Sequence, residues 1–120
     1  MSCSFKTPGL RRPTVGTMER IARYAKMTAR RGYGGEVADL LLTAADGLRG
    51  DPGCELYLVH RQADAPDTIW VTELWRSRAD LDAALRGLAG DDDVAAVLGR
   101  IESNEMIELD LLGGKGPAAH

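Results

Sequence analysis

The chain has 120 residues, of which 44% are hydrophobic and 28% charged, with a net charge of -3. That is enough for one globular core and too little for two. The charge gives no electrostatic reason to expect nucleic acid or an acidic membrane as a partner, and the apolar runs are too short to span a bilayer.

The first stretch, residues 1–17, reads MSCSFKTPGLRRPTVGT. It is basic but lacks the apolar region of a secretory signal, and Arg11–Arg12 lacks the apolar stretch of a twin-arginine signal. It reads as a flexible leader, residues 18–112 as the domain, and GGKGPAAH at 113–120 as a flexible tail. Cys3 lies in the leader and Cys54 in the domain, which is no disulfide framework. A small buried Cys54 in a cytoplasmic protein is the expectation.

Residues 18–28 alternate as a strand, with Ile21, Arg23, Ala25 and Met27 on one face and Ala22, Tyr24, Lys26 and Thr28 on the other. Three glycines in ARRGYGG break it. Val37, Leu40, Leu41, Ala44, Ala45 and Leu48 then recur at helical spacing, and Gly50, Asp51 and Pro52 end that helix. GCELYLVHR reads as a second strand, QADAPD as a turn and TIWVTELW as a third strand. Ser77 with Asp80 caps the next helix, whose stripe is Leu81, Ala84, Leu85 and Leu88. Asp91, Asp92 and Asp93 precede a short helix carrying Val94, Val97, Leu98 and Ile101. MIELDLL is the expected last strand.

The order β-α-β-β-α(α)-β is that of a ferredoxin-like α+β domain: a βαββαβ sandwich with a four-stranded antiparallel sheet. Helices covering one face should leave polar residues on the other. Strands two and three are instead apolar on both, Leu56 and Leu58 opposing Tyr57 and Val59, and Ile69 and Val71 opposing Trp70 and Leu74. A second copy of the chain is the simplest cover, so a homodimer joined through its sheets is expected.

The two histidines, His60 and His120, do not supply a convergent metal-ligand set. Gly32-Tyr33-Gly34-Gly35 lies between strand and helix, as phosphate loops do, but Val37 stands where a dinucleotide fingerprint needs glycine and no Walker lysine follows. It reads as a turn. Cys54 and His60 are too far apart along one strand, at about 3.3 Å per residue, to act as a catalytic pair. What remains is Arg23, Tyr24, Tyr57, His60, Trp70, Glu73 and Trp75 on otherwise apolar strands. Such a set suits an apolar pocket with a few oriented polar groups, although core aromatics and a cross-strand Arg23–Glu73 pair would look the same.

Gly53-Cys54-x-x-Tyr57-x-x-His60-Arg61, Ala65-Pro66-Asp67, Glu73-Leu74-Trp75, Ser77 and Leu81-Asp82, in that order, resemble the antibiotic biosynthesis monooxygenase family. The resemblance extends over residues 20–112. It implies a dimeric α+β barrel with a pocket between sheet and helices. It also implies oxidation of an aromatic polyketide, anthrone or quinol by molecular oxygen, with no metal or flavin cofactor. The family's tryptophan ending the third strand is kept as Trp75 and its strand-two histidine as His60. The asparagine and tyrosine of the polyketide-oxidising members are replaced by Val71 and Leu81, and the helix histidine by Ala84. The haem-degrading branch is not matched, because Ala25 and Ala84 occupy its asparagine and tryptophan positions.

The resulting assignment makes His60 a general base, Trp75 a donor and aromatic wall, and Arg23 a fixed positive charge. Glu73 shares a strand face with Trp75 and would orient His60 or Arg23, or act as the base itself. Tyr24, Tyr57 and Trp70 would bind the aromatic substrate. Two other readings use the same scaffold: a non-oxidative isomerase or cyclase, and a small-molecule binding or accessory protein.

Overall fold

In the computed structural model, residues 20–88 and 90–116 are described. The elements are β1 (Ile21–Ala29), α1 (Gly34–Gly47), β2 (Cys54–Gln62), β3 (Ala65–Trp75), α2 (Arg78–Leu88), α3 (Asp92–Leu98) and β4 (Ile101–Asp110). They form a ferredoxin-like α+β fold whose sheet runs β2-β3-β1-β4, with every pairing antiparallel. The expected leader and residues 117–120 lie outside the described residues, and 113–116 form no regular element. Among the described residues no helix is long and apolar enough to cross a membrane.

The core forms where the sheet meets α1. Ala25, Ala29, Ile69 and Val71 from the strands close on Val37, Ala38 and Leu41 of the helix, with Met27, Tyr57, Val59, Val97 and Ile101 packed around them. Residues two apart share a strand face, so this cluster fixes the helix side of the sheet: Arg23, Ala25 and Met27 on β1, Ile69, Val71, Glu73 and Trp75 on β3.

Two elements differ from expectation. The last strand begins at Ile101, not Met106, and ends at Asp110. Glu102, Ser103, Asn104 and Glu105 have no apolar alternation, yet Ser103, Asn104 and Glu105 pair with Thr28, Met27 and Lys26, and a register shift past Glu102 sets Ile101 opposite Ala29. Ladder hydrogen bonds outweigh the weak strand preference of those side chains. The third strand likewise begins at Ala65, inside the expected turn; Pro66 is tolerated because the register shifts between Arg61 and Gln62.

Helix termini are held as the residue types suggest. Ser77 Oγ accepts from Asp80 N at 3.2 Å and donates to Asp80 Oδ2 at 2.7 Å. Asp91 Oδ1 accepts from Asp93 N and Val94 N. For α1 the cap comes from elsewhere in the chain: Asp67 accepts from Gly32 N at 3.0 Å and Gly34 N at 2.9 Å. These backbone bonds hold the Asp67 carboxyl below its ordinary pKa. The glycine loop therefore spends these two N–H groups on a carboxylate of its own chain, in keeping with a turn rather than a phosphate cradle.

Candidate active site

Strand register builds the site. Tyr57 pairs with Glu73, Glu73 with Arg23, and Arg23 with Glu108, so one polar row crosses all four strands on the helix side. The adjacent row, Val59, Val71, Ala25 and Met106, is apolar. Arg23 is 8% exposed, Glu73 7% and Trp75 2%. Glu73 Oε1 accepts from Trp75 Nε1 at 2.8 Å and lies 3.6 Å from Arg23 Nε. Arg23 Nε also donates to Met106 Sδ at 3.1 Å.

Removing a charge pair from water is costly, and the attraction between partners repays it only partly. Arg23 and Glu73 are thus expensive for a domain this small, which favours a functional use over plain stabilisation. Tyr57, at the end of the row, is pushed up to about 12 by burial, with the negative charge of Glu73 adding to it. Cys54 is pushed up to about 11, again mainly by burial. Both are neutral at physiological pH: Tyr57 is an uncharged aromatic wall and Cys54 is not a thiolate nucleophile.

The row leads into an open side of the molecule. α1 packs on β3 and β2, α3 on α1, and α2 on β3. β4 is left exposed, and Met106 is 42% accessible despite facing the helix side. Arg23 and Glu73 are buried beside this exposed strand, and the Arg78–Glu108 ion pair ties the start of α2 to it.

The catalytic candidates do not all meet there. Arg23, Glu73 and Trp75 come together, and Tyr57 joins them. His60 pairs with Trp70, one position out of phase with Glu73, and so lies on the opposite face. It is exposed and contacts Thr72 Oγ1 at 3.3 Å. The expectation that Glu73 orients His60 is therefore corrected: the sheet separates them. The donor role of Trp75 is corrected too, because its N–H already binds Glu73.

The aromatic set divides in the same way. Tyr24 and Trp70 share the open face with His60, while Tyr57 is on the helix side. There Tyr24, Lys26, Trp70, Glu105 and Ile107 line a shallow groove of about 260 Å³, with Met106 bordering it between the last two. Trp70 Nε1 donates to Gln62 Oε1 at 2.9 Å, and Lys26 Nζ lies 5.5 Å from the Trp70 ring centroid. Leu58, Ile107 and Leu109 extend this face as exposed apolar surface.

Met106 and Glu108 were missed by sequence reasoning. Both lie in the MIELDLL strand and share a face, but only the β1–β4 register shows that Arg23 is their neighbour. Among the described residues no cluster of three or more His, Cys, Asp or Glu side chains could hold a metal ion.

A family model described as antibiotic biosynthesis monooxygenase matches residues 20–89. The chain is 30% identical to a Chloroflexus aurantiacus J-10-fl protein named for that family; the match covers 81% of this chain and 97% of that one, with a TM-score of 0.64. Proteins named in the same way from Caulobacter crescentus CB15 and Deinococcus radiodurans share the fold. Their identities are 20% and 19%, their TM-scores 0.67 and 0.63, and the matches cover 78% and 81% of this chain and 91% and 95% of theirs. No curated protein matches the chain significantly. With more than half its length matched by the family model and a 30%-identical relative spanning most of the domain, the chain belongs to the antibiotic biosynthesis monooxygenase family.

Proposed function

We propose that this protein is a cofactor-independent monooxygenase that oxidises a small electron-rich aromatic substrate, of the anthrone or quinol type, with molecular oxygen. The observation that carries the reading is the buried Arg23–Glu73–Trp75 group on the helix side of the sheet, beside the exposed Met106. Family membership supports the reaction class.

An anthrone is a carbon acid whose anion is electron-rich. Glu73 accepts the proton, and Arg23 stabilises the charge left on the substrate oxygen. The carbanion passes one electron to oxygen and the radicals combine to a peroxide. Loss of the second C–H proton as the O–O bond breaks gives the ketone and water. One oxygen atom enters the product, the other leaves as water, and the substrate supplies all four electrons. Trp75 holds Glu73 in place, while Tyr57 and Met106 wall the aromatic rings.

The reading includes a homodimer formed through the open sheet face, where Tyr24, Leu58, Ile107 and Leu109 are exposed. His60 and Trp70 then lie at the contact between subunits. A specific observation favours a second reading, that of a binding or accessory protein. Ala25 and Val71, where the resemblance implies asparagine in haem-degrading and in polyketide-oxidising members respectively, are 0% and 1% exposed core residues. Oxygen uptake with anthrones and hydroquinones, by protein treated with a chelator and free of flavin, separates the two. Turnover-linked uptake supports the enzyme; saturable binding without uptake supports the binding protein.

A further inference from the structure

The Arg23 side chain is only 10% exposed, yet most of its donors are unused. Its Nε meets Met106 Sδ, a weak acceptor, and approaches Glu73. Neither Nη1 nor Nη2 donates to any acceptor among the described residues, and neither is a sealed, unsatisfied atom. Both donors therefore keep some contact with solvent on the helix side of the sheet, beside the exposed strand β4. A desolvated guanidinium presented in this way is a strong site for a planar oxyanion.

The obvious internal partner is Glu108. It stands directly opposite Arg23 on β4 and faces the same side. It is turned away instead: Arg78 at the start of α2 donates Nη2 to Glu108 Oε1 at 2.6 Å and Nη1 to Oε2 at 3.2 Å, engaging both oxygens. Glu108 is held below its ordinary pKa first by Arg78 and only weakly by Arg23, in keeping with that geometry.

We propose that the Nη donors of Arg23 bind the oxyanion of an acidic aromatic ligand, a carboxylate or the enolate of a hydroxy-carbonyl. Arg78 is a positioning residue that keeps those donors available by holding Glu108 away. This rests on the proposed function only for the identity of the site, and it deepens that reading by giving the substrate a charge.

The test is calorimetric titration of the full chain with 2-naphthoate and with neutral 2-naphthamide at one salt concentration. A charge-assisted pair predicts that the acid binds about tenfold tighter or better, and that R23Q abolishes this preference. R78A should weaken naphthoate binding because Glu108 then competes for Arg23, and R78A/E108Q should restore it. No preference for the acid in the wild type, or a preference retained in R23Q, overturns the site. A double variant as weak as R78A overturns the positioning role. Should R23Q fail to fold, the exposed Arg78–Glu108 pair decides alone. Binding is read without turnover: naphthoate bound as predicted with no oxygen uptake removes the enzyme and leaves the site, and the converse removes the site and leaves the enzyme.

Discussion

Tyr57 and Glu73 occupy neighbouring strands on the same face, and each changes what the other can do. Burial and the nearby carboxylate raise the Tyr57 phenol to about 12, well above the ordinary tyrosine value. Absorbance at 295 nm should show one phenolate appearing late, and Tyr57→Phe should remove that step. The folded state binds this proton more tightly than the unfolded chain. The associated stability is therefore complete below about 10, falls as pH rises, and is lost above about 12. A Tyr57 phenol that ionises at the ordinary tyrosine value would show that the row is wetter than described. The Arg23–Glu73 pair was readable from strand alternation, because both residues sit in well-patterned strands. Its separation from His60 was not. Strands two and three are apolar on both faces, so alternation grouped the residues without saying which group faced the helices.

At the scale of elements, the contact between the start of β3 and the start of α1 has the clearest consequence. A Cβ on Gly34 would run into the Pro66 carbonyl and the Asp67 backbone. Gly34→Ala should therefore destabilise the domain by about 1–3 kcal/mol, the usual scale of overpacking strain, measured by urea unfolding. Asp67→Ala should lower the melting temperature and weaken the acid dependence of stability. A carboxyl held below its ordinary pKa stabilises above that ordinary value, and the effect is lost as pH falls through the lowered one. Unchanged unfolding curves for both variants would contradict this junction. Sequence patterning found every element, since helical and strand periods are both strong here. It missed the cap on α1 because Asp67 is a long-range partner, and it shortened β4 because Ser103–Glu105 join the sheet through backbone pairing rather than an apolar stripe.

For the whole molecule, the sheet has two unlike sides. Val59 packs against the core on the helix side, whereas Trp70 lies on the open face. Aspartate at Val59 should unfold the chain by burying an unpaired charge. Aspartate at Trp70 should leave a folded chain that scatters light as a monomer, while the wild type scatters as a dimer at micromolar concentration. A monomeric wild type would remove the second copy from the account. Oxidation at the Arg23–Glu73–Trp75 group without a cofactor is tested by anthrone turnover under ¹⁸O₂ with metal-free, flavin-free protein, wild type beside Glu73→Gln. The proposed reaction places one ¹⁸O atom in each ketone formed by the wild type, with the second in water. It predicts a rate lower by about 10²–10⁴-fold in the variant, the usual loss of a general base. Product oxygen from water, or a Glu73→Gln protein as fast as wild type, would contradict it.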